Sequence, residues 1–380
     1  PTLRCLTPWP PPPMTREGSA SSGEGAEMVT DADGELLDLE EEMARAAAMK
    51  GPRRWGEAKE IYERLSTLSC PDSSVPGRAR VELGLILAGM GKKVEAQRLL
   101  LASLDELRGA HLAAELAGSQ ARGEAGAEPE TKPGPVELAC ANAEFRLAIL
   151  SGSTPPTLPP TFVRSLFDEF AETFDHKLCD RLSYRGPELL AAAIISQHKA
   201  VSPDGTGPHS FKACLDLGAG TGLLGEQLRS HCEWLEAVDL SAEMIERASA
   251  KGIYDALHVG DLESALKRAL CDGARSWDLI TACDVLNYVG SLSAVFSSVQ
   301  SLLSSCGGAF FAFTTEEMEA RTAKEMTAYR LAEHGRYQHT PGYVRQVAQE
   351  CRLNILYCKR DSTRRNYGAD VWCHIWIVRA

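Results

Sequence analysis

The sequence predicts an α/β fold in which a doubly wound sheet of seven strands follows a small α-helical domain. Strand-like and helix-like stretches alternate from residue 161 to 380, a pattern that is typical of a parallel sheet covered by helices on both faces. Between residues 35 and 110, alanine and leucine recur at three- and four-residue steps. This spacing indicates packed helices, so the helical part precedes the sheet.

The bulk composition excludes several classes of protein. Of the 380 residues, 44% are hydrophobic and 24% are charged, and the formal net charge is −12. An acidic chain argues against nucleic acid as a partner, because nucleic-acid binding depends on lysine and arginine that neutralise phosphates. The 12 cysteines stand singly, with no Cys-x-x-Cys pair, so we predict reduced thiols and no metal site. No apolar run approaches the roughly 20 residues of a membrane-spanning helix, and we predict no membrane partner.

The segments outside the two folded parts differ from them in composition. Residues 1–34 are rich in proline, glycine and serine, which predicts a disordered tail; the alternative is the remnant of a transit peptide. Residues 111–160 predict a linker that contains one short capping helix, near 136–150, and ends in the proline-rich SGSTPPTLPP. We expect a cytoplasmic protein, while import into an organelle through the tail stays open.

Two stretches of the helical part, residues 35–110, repeat one plan. In EMARAAAMKGPRRWGEAKEIYERL one helix ends near 51–52 and another begins near Trp55, and RARVELGLILAGMGKKVEAQRLLLASL turns at 89–91 in the same way. Ala58 and Ala96 hold equivalent places and lie 38 residues apart, whereas the tetratricopeptide (TPR) repeat that the plan resembles has a period of about 34. Two interpretations stay open: TPR-like repeats, or a plain helical bundle.

Seven stretches of the second part have the composition of strands. They are residues 213–218, 234–240, 256–260, 277–284, 307–315, 352–360 and 371–378. Helical patterns separate most of them, but no helix separates the last two. The sequence therefore predicts an antiparallel hairpin at one edge of the sheet.

The stretch LDLGAGTGLLG, residues 215–225, includes the end of the first of these strands. In a doubly wound sheet a ligand lies at the carboxyl ends of the strands, and glycines there let it approach the main chain. Gly218 and Gly220 form this bare turn. Asp239 closes the second strand, where a carboxylate can accept both hydroxyls of a ribose.

Two further residues separate nicotinamide dinucleotides from other ligands. The dinucleotide fingerprint requires glycine five positions after Gly218, and that position is Leu223. Asp216 lies inside the first strand, where a carboxylate is unfavourable beside a pyrophosphate but suits a ligand with cationic ammonium and sulfonium groups. The sequence therefore disfavours a nicotinamide oxidoreductase.

Four motifs in order carry a family resemblance: LDLGAGTGLLG, VDLSAEMIERA, GDLES and WDLITACDVLNYVG. The series resembles the class I S-adenosylmethionine-dependent methyltransferases, and the match covers residues 161–380. That resemblance implies a Rossmann-like seven-stranded sheet and S-adenosyl-L-methionine as the cofactor. FVRSLFDEFAETFDHKLCDRLSYRGPELL and GRYQHTPGYV are also similar to predicted methyltransferases that carry TPR repeats.

The resemblance also implies which residues surround the cofactor. The turn at Gly218 and Gly220 would approach its methionine part, with Asp216 orienting the amino end directly or through water. Its ribose would contact Asp239, and its adenine would contact side chains that follow the second and third strands. The full set is Asp216, Gly218, Gly220, Asp239, Leu240, Met244, Asp261, Leu262 and Cys283.

Several of these residues have a structural alternative. Asp239 or Asp261 taken alone could be a helix cap or a turn residue, and Ser241 is expected to cap a helix. The apolar stripe of residues 162–178 is expected to pack in a core; the alternative is that part of this helix covers the cofactor. Arg364 in the last connection would hold an anionic substrate or be solvated.

Asp284 and His339 are the candidates for catalysis. Asp284 follows the fourth strand, where it would act as a general base, orient the substrate, or cap the next helix. His339 lies beyond the fifth strand, in a region that the family often uses for substrate pockets. Residues 284–287 read Asp-Val-Leu-Asn, so the Asn/Asp-Pro-Pro-aromatic signature of nucleic-acid amino-methyltransferases is absent.

We therefore predict an enzyme that moves a methyl group from S-adenosylmethionine to an acceptor that the sequence does not identify, a small molecule or a protein rather than nucleic acid. The alternative is a TPR adaptor whose methyltransferase-like domain binds the cofactor without turnover. A protein partner would bind through the TPR-like helices. Direct methyl transfer requires alignment and desolvation, and no protein nucleophile.

Overall fold

The chain divides into two compact units. The computed structural model describes residues 28–30, 36–49, 53–68, 70, 73–119, 133–201, 210–272, 275–304, 308–318, 328–366 and 368–380. The first unit comprises residues 1–153 with 333–335, and the second comprises residues 154–332 with 336–380. The helix predicted within the linker thus belongs to the first unit.

The first unit is built mainly from helices. A short antiparallel pair, β1 (Met28–Thr30) and β2 (Leu36–Asp38), comes first. It is followed by α1 (Leu39–Ala47), α2 (Trp55–Ser66), α3 (Val75–Gly89), α4 (Lys93–Ser119) and α5 (Pro135–Ser151). β1 falls inside the stretch predicted as a disordered tail. The rest of residues 1–34 and the predicted turn at 51–52 lie outside the described residues.

Local sequence explains where these helices begin and end. Asp38 caps α1, because its carboxylate accepts the N–H groups of Glu40 and Glu41. The predicted start of α2 and the predicted turn after α3 are both present. α4 continues to Ser119, past the end predicted at residue 110, because HLAAELAG is composed largely of strong helix formers.

Two glycines let the helices pack closely. A Cβ on Gly89 would lie 2.5 Å from the Trp55 ring, and a Cβ on Gly84 would lie 2.8 Å from the Leu100 side chain. The Trp55 ring of α2 and the Leu100 side chain of α4 therefore pack directly against the main chain of α3. This arrangement matches the helix boundaries of the two predicted repeats; their assignment as TPR repeats stays a prediction.

The second unit is the α/β part. Its helices are α6 (Pro160–Phe170), α7 (Gly186–Val201), α8 (Leu223–Leu228), α9 (Ala242–Ala250), α10 (Leu262–Asp272), α11 (Ser293–Leu303) and α12 (Pro341–Glu350). Its strands are β3 (Phe211–Leu217), β4 (Cys232–Asp239), β5 (Ala256–Val259), β6 (Leu279–Ala282), β7 (Phe310–Glu316), β8 (Tyr329–Leu331), β9 (Tyr337–His339), β10 (Asn354–Asn366) and β11 (Ala369–Arg379). A 3-10 turn at Ala171–Thr173 and a π-helical turn at His176–Arg181 lie between α6 and α7.

Seven strands form one mostly parallel sheet in the order β5-β4-β3-β6-β7-β11-β10, which confirms the predicted Rossmann-like sheet. β11 runs antiparallel to β7 and to β10, so the predicted edge hairpin is present. The chain moves outward from β3 to β5 and returns to β6 on the other side of β3. The switch point therefore lies between β3 and β6, where ligands bind in such sheets.

Apolar layers cover both faces of this sheet. The central strands β6 and β7 are buried along their whole length, as expected for parallel strands that carry helices on both faces. Phe311 and Phe313 of β7 pack with Phe296 of α11 on one face. Phe310 packs against Phe211 on the other face. The core thus fixes the strands whose carboxyl ends carry the candidate residues.

Two features of the second unit differ from the sequence-based expectation. The hairpin β8–β9 has strands of three residues each, too short to show a period-two pattern. β10 extends to Asn366, beyond the predicted end at residue 360. It does so because it pairs with β11 through residue 366, which supplies main-chain hydrogen bonds to the polar sequence RDSTRRN.

The described residues contain neither a membrane-spanning helix nor a cluster of metal-ligating side chains. No helix there combines the length and the apolarity that crossing a bilayer requires. Within the same residues, no three histidine, cysteine, aspartate or glutamate side chains gather so that they could hold a metal ion.

Glu82 of α3 makes the first unit sensitive to pH. Its side chain is 3% exposed, and burial raises the pKa of its carboxyl from 4.5 to about 7, which Arg78 only partly offsets. The folded protein keeps this proton to a higher pH than the unfolded chain does. The free energy of unfolding therefore falls as pH rises from about 4.5 through about 7. Because glutamine carries no titrating proton, we expect Glu82→Gln to melt at a higher temperature than wild type at pH ~8, but not at pH ~5.

Circular dichroism melts of the full chain at the two pH values measure this effect. Glu95→Gln is the matched control, because the Glu95 side chain is 63% exposed, and it should show no pH-dependent gain. An equal change in melting temperature at both pH values for Glu82→Gln would contradict the assignment.

Candidate functional site

The glycine turn after β3 is the centre of the site. Gly218 and Gly220 have φ angles of 65° and 57°, in the left-handed region that glycine adopts without strain. A Cβ on Gly218 would lie 2.1 Å from Cγ2 of Val285, so any side chain there would collide with the segment that follows β6. The predicted bare turn is present, and it brings the ends of β3 and β6 together.

Asp239 lies at the end of β4 and is bonded to this turn. Its Oδ2 accepts the N–H of Gly220 at 2.8 Å, and its Oδ1 accepts the N–H of Ser241 at 2.9 Å. Burial raises the pKa of Asp239 to about 6, although these two hydrogen bonds lower it. Each oxygen keeps a second lone pair, so the carboxylate can still accept two ligand hydroxyls.

Asp216 is more deeply buried than the sequence analysis predicted. It is 1% exposed, with Oδ1 accepting the hydroxyl of Thr281 at 2.7 Å and Oδ2 accepting that of Tyr254 at 2.8 Å. Burial raises its pKa to about 6, against these two bonds. Both oxygens face protein hydroxyls, so Asp216 joins β3 to β6, and the direct contact with a cofactor amine is not favoured by this geometry.

The other predicted cofactor residues follow β4 and β5. Ser241 caps α9 by accepting the N–H of Met244 at 3.1 Å, as predicted; Met244 is buried and Leu240 is half-buried. Asp261 accepts both the N–H and the hydroxyl of Ser264, at 2.9 and 2.7 Å. Burial alone would raise the pKa of Asp261, but these bonds hold it below its usual value.

Asp261 therefore has the helix-cap geometry that was the structural alternative for it, since Ser264 lies in the first turn of α10. Leu262 follows it directly, half-buried against the sheet core. Asp261 and Leu262 follow β5, and β5 pairs with β4 in the sheet. An adenine contact for this pair stays a prediction.

The segment after α6 packs against the glycine turn. The Phe174 ring lies 3.8 Å from the position of a Cβ on Gly220, and the hydroxyl of Thr221 donates to Asp175. Lys251 pairs with Asp175 at 3.2 Å. Residues 174 and 175 thus cover one side of the turn. They belong to the stripe 162–178, and the alternative that part of this stripe covers the cofactor stays a prediction.

Asp284 follows β6 in a strained conformation, with φ of 55°. Its Oδ1 accepts the hydroxyl of Thr314 at 2.9 Å, and its Oδ2 accepts from Arg364 at 3.3 Å. Arg364 also donates to Glu316 at 2.7 Å and is 4% exposed, so it is neither solvated nor turned toward a substrate. The ion pair with Arg364 holds the Asp284 carboxylate in place, and a catalytic role for Asp284 stays a prediction.

His339 is buried away from bulk solvent. Its Nε2 lies 3.0 Å from the carbonyl oxygens of both Val289 and Gly290, so it is bound to the main chain that follows β6. Burial lowers its pKa to about 4. Its ring stacks on that of Tyr343. These contacts favour a structural role, and a catalytic role stays a prediction.

Several residues of the site escaped the sequence analysis. Thr281 and Tyr254 hold Asp216, and the hydroxyl of Tyr184 lies 3.6 Å from the Sγ of Cys283. These residues have no motif of their own. Their positions depend on strand order, which brings together residues distant in the chain.

The approach of Gly218 to Val285 predicts the outcome of a substitution. Gly218→Ala adds a collision and a left-handed alanine, so we expect a loss of about 2–4 kcal/mol in the free energy of unfolding. Adding Val285→Ala should restore part of this loss, because Cγ2 is removed. Urea unfolding of the full chain measures both.

Gly342→Ala is the control, since nothing lies within 4 Å of a Cβ there. It should be as stable as wild type or slightly more stable. Wild-type stability in Gly218→Ala would show that the turn does not require glycine at this position.

Sequence comparisons agree with this geometry. The family described as a methyltransferase domain matches residues 215–310, from β3 to the start of β7. The ubiquinone biosynthesis O-methyltransferase of Xylella fastidiosa (strain 9a5c) is 30% identical over 107 residues, which are 28% of this chain and 43% of that protein. The chain thus matches less than half the length of that relative.

Solved structures of several methyltransferases are similar to this chain. Magnesium protoporphyrin IX methyltransferase (ChlM) from Synechocystis PCC 6803, with bound SAM, is 19% identical with a TM-score of 0.40, over 58% of this chain and 97% of its own. The 1,6-didemethyltoxoflavin-N1-methyltransferase of Burkholderia thailandensis is 16% identical with a TM-score of 0.42, over 60% and 92%. Residues 215–310 of the second unit thus match the methyltransferase-domain family, at the place where the sequence carries the ordered motifs.

Proposed function

We propose that this protein transfers a methyl group from S-adenosylmethionine to an acceptor, a small molecule or a protein. The observation that carries the proposal is the position of Asp239, whose carboxylate is fixed by the Gly220 and Ser241 N–H groups at 2.8 and 2.9 Å. A carboxylate at the end of β4, beside a turn without side chains, fits a nucleoside that approaches the main chain.

The residues present fit this cofactor. At Gly220 the nearest atom to a Cβ position is on the Phe174 ring, at 3.8 Å, which leaves room for a group against the main chain. Asp239 would bind the ribose hydroxyls. Leu240 and Leu262, half-buried, would border the adenine. When bound, S-adenosylmethionine supplies an electrophilic methyl group on a sulfonium.

The chain's own residues then have three tasks. Phe174 and its neighbours exclude water from the turn, which strengthens electrostatic interactions there. Asp216 holds β3 and β6 in register through Thr281. Arg364 fixes the Asp284 side chain at the end of β6, where it would contact and orient an acceptor. None of these tasks requires a covalent bond to the protein.

The helical unit supports a finer proposal. Two helical hairpins, α1–α2 and α3–α4, precede α5, in the order expected for two TPR-like repeats and a capping helix. We propose that this unit recruits a protein partner, and that the protein acts in the cytoplasm. Nucleic acid does not fit the net charge of −12.

Replacement of Asp239 tests the ribose contact. Asp239→Ala removes two acceptor oxygens, each worth about 1.5–3 kcal/mol in a charge-assisted bond, so we expect the affinity for S-adenosylhomocysteine to fall at least ~10-fold. Isothermal titration calorimetry measures it. Asp370→Ala, at an exposed aspartate of β11 (45%), is the control and should bind like wild type.

Three results would overturn parts of this proposal. Unchanged affinity in Asp239→Ala would remove the ribose assignment. Binding of NAD but not of S-adenosylmethionine or its demethylated product would end the methyltransferase proposal. Tight binding without labelled methyl transfer to any component of a cell extract would support a non-catalytic adaptor instead.

The pH dependence of binding follows from the same carboxylate. Asp239 has a pKa of about 6, so it accepts hydrogen bonds as an anion above this pH and is protonated below it. We expect the affinity for S-adenosylhomocysteine to fall as pH decreases through about 6. Titrations from pH ~5 to ~8 should show a weaker pH dependence in Asp239→Asn, which does not ionise. An equal pH dependence in both proteins would assign it to another group.

A further inference from the structure

The carboxyl end of β6 adjoins the glycine turn and carries a second group of side chains. Val285 touches the position of a Gly218 Cβ, and Cys283 and Asp284 immediately precede Val285. An acceptor that is to receive a methyl group beside the turn has to contact this end of the sheet. The side chains here therefore decide how the acceptor is held.

Tyr184 reaches this place from the loop before α7. Its hydroxyl lies 3.6 Å from the Sγ of Cys283, which is the hydrogen-bonding partner of that hydroxyl within the described residues. Buried tyrosine hydroxyls usually bind an oxygen or a nitrogen, whereas a thiol is a weak donor and a weak acceptor. Replacing the thiol by a polar group of a ligand would therefore break a weak hydrogen bond and form a stronger one, at little cost in free energy.

The backbone on both sides of this contact is strained. Ser183 and Asp284 have φ angles of 50° and 55°, unusual for residues other than glycine. Such conformations cost free energy and persist where surrounding contacts impose them, most often at functional sites. The strained pair flanks Tyr184 on one side and Cys283 on the other.

Hydrogen bonds hold the Tyr184 loop in this conformation. The N–H of Tyr184 donates to the carbonyl of Leu178, in the π-helical turn, at 3.1 Å, and the N–H of Arg185 donates to that of Thr363, in β10, at 2.7 Å. π-Helical turns are also frequent at functional sites. The loop is thus fixed at both ends, and the position of the Tyr184 hydroxyl is defined in advance.

Tyr184 is suited to hydrogen bonding rather than to proton abstraction. Burial, with Asp284 and Cys283 nearby, raises its pKa well above 10. Burial likewise raises the pKa of the Cys283 thiol. The hydroxyl therefore stays protonated at neutral pH, as a donor and acceptor of hydrogen bonds.

We propose that Tyr184 binds the methyl acceptor through its hydroxyl, replacing the Cys283 contact, and that the acceptor atom is an oxygen or a nitrogen. This inference rests on the proposed methyltransferase function. A carbon or sulfur acceptor would gain little from this hydroxyl, because neither forms a strong hydrogen bond. An oxygen that accepts a hydrogen bond from Tyr184 keeps a second lone pair for the methyl group, and a nitrogen that donates its N–H to the Tyr184 oxygen keeps its one lone pair free.

The test compares three single variants of the full chain and the double variant Tyr184→Phe/Cys283→Ser. Tyr184→Phe removes the hydroxyl at the site, and Tyr357→Phe removes one from a half-buried tyrosine of β10 as the matched control. Cys283→Ser gives Tyr184 a stronger partner that competes with the acceptor. Each is characterised by its melting temperature, its affinity for S-adenosylhomocysteine, and the initial rate of labelled methyl transfer at increasing concentrations of cell extract.

We expect Tyr184→Phe to bind S-adenosylhomocysteine like wild type but to transfer methyl about 10-fold more slowly at limiting extract, the loss of roughly one hydrogen bond. Cys283→Ser should raise the extract concentration that gives half the maximal rate, and should have no further effect in the Tyr184→Phe background. Tyr357→Phe should match wild type. The labelled product should carry an O-methyl or N-methyl group.

Several results would overturn the inference. The first is a wild-type rate of methyl transfer in Tyr184→Phe. The second is a double variant in which the two rate losses add, and the third is a product that carries an S-methyl or C-methyl group. If Tyr184→Phe has a lower melting temperature or a lower cofactor affinity than wild type, Cys283→Ser tests the proposal instead. An unchanged extract concentration at half the maximal rate in Cys283→Ser would then reject the binding of the acceptor by Tyr184. Absence of cofactor binding or labelled product in wild type would instead reject the methyltransferase function and this proposal with it.

Discussion

One carboxylate between two main-chain N–H groups sets the geometry of the site. Asp239 accepts from Gly220, in the turn after β3, and from Ser241, at the start of α9. A turn built from left-handed glycines has a high conformational entropy when it is free. The two hydrogen bonds fix it to the end of β4, and the close contact of Gly218 with Val285 fixes it to the segment after β6. Three strand ends are thereby held in one arrangement.

The acidic groups around this turn are compensated in two different ways. Asp216 accepts from the neutral hydroxyls of Thr281 and Tyr254, and burial raises its pKa to about 6. Asp284 and Glu316 instead share the guanidinium of Arg364. Buried charges are retained only where such partners exist. The hydroxyl partners leave Asp216 with a pKa of about 6. The ion pairs with Arg364 fix the positions of Asp284 and Glu316 at the ends of β6 and β7.

Features that depend on local sequence were predicted, and features that depend on packing were not. The glycine turn is recognisable because positive φ angles favour glycine, and Ser241 because a helix cap requires a side-chain acceptor next to the N–H groups that it binds. The seven strands were predicted because each has a local composition typical of strands. Tyr254 and Tyr184 contact residues 38 and 99 positions away, and no local pattern encodes such pairs.

The same distinction explains the two catalytic candidates. Asp284 was found because it ends a strand at the switch point, but its ion pair with Arg364 depends on β10 continuing beyond the apolar part of its sequence. His339 was chosen because it lies beyond the fifth strand, in a region that often contributes to substrate pockets, and a sequence does not show that its Nε2 lies 3.0 Å from two main-chain carbonyls.

The groups near the end of β6 hold their protons in place near neutral pH, in contrast to Asp216 and Asp239, whose pKa values are about 6. Burial raises the pKa of Tyr184 and of Cys283, and it lowers that of His339 to about 4. None of these three groups changes its protonation state near neutral pH, and Asp284 is held by a cation. Transfer of a methyl group from a sulfonium depends on alignment and on the exclusion of water, which a rigid site of this kind provides. Under the proposed function, an acceptor that enters this site would present its own lone pair, and its selection would then depend on hydrogen-bond geometry at the end of β6.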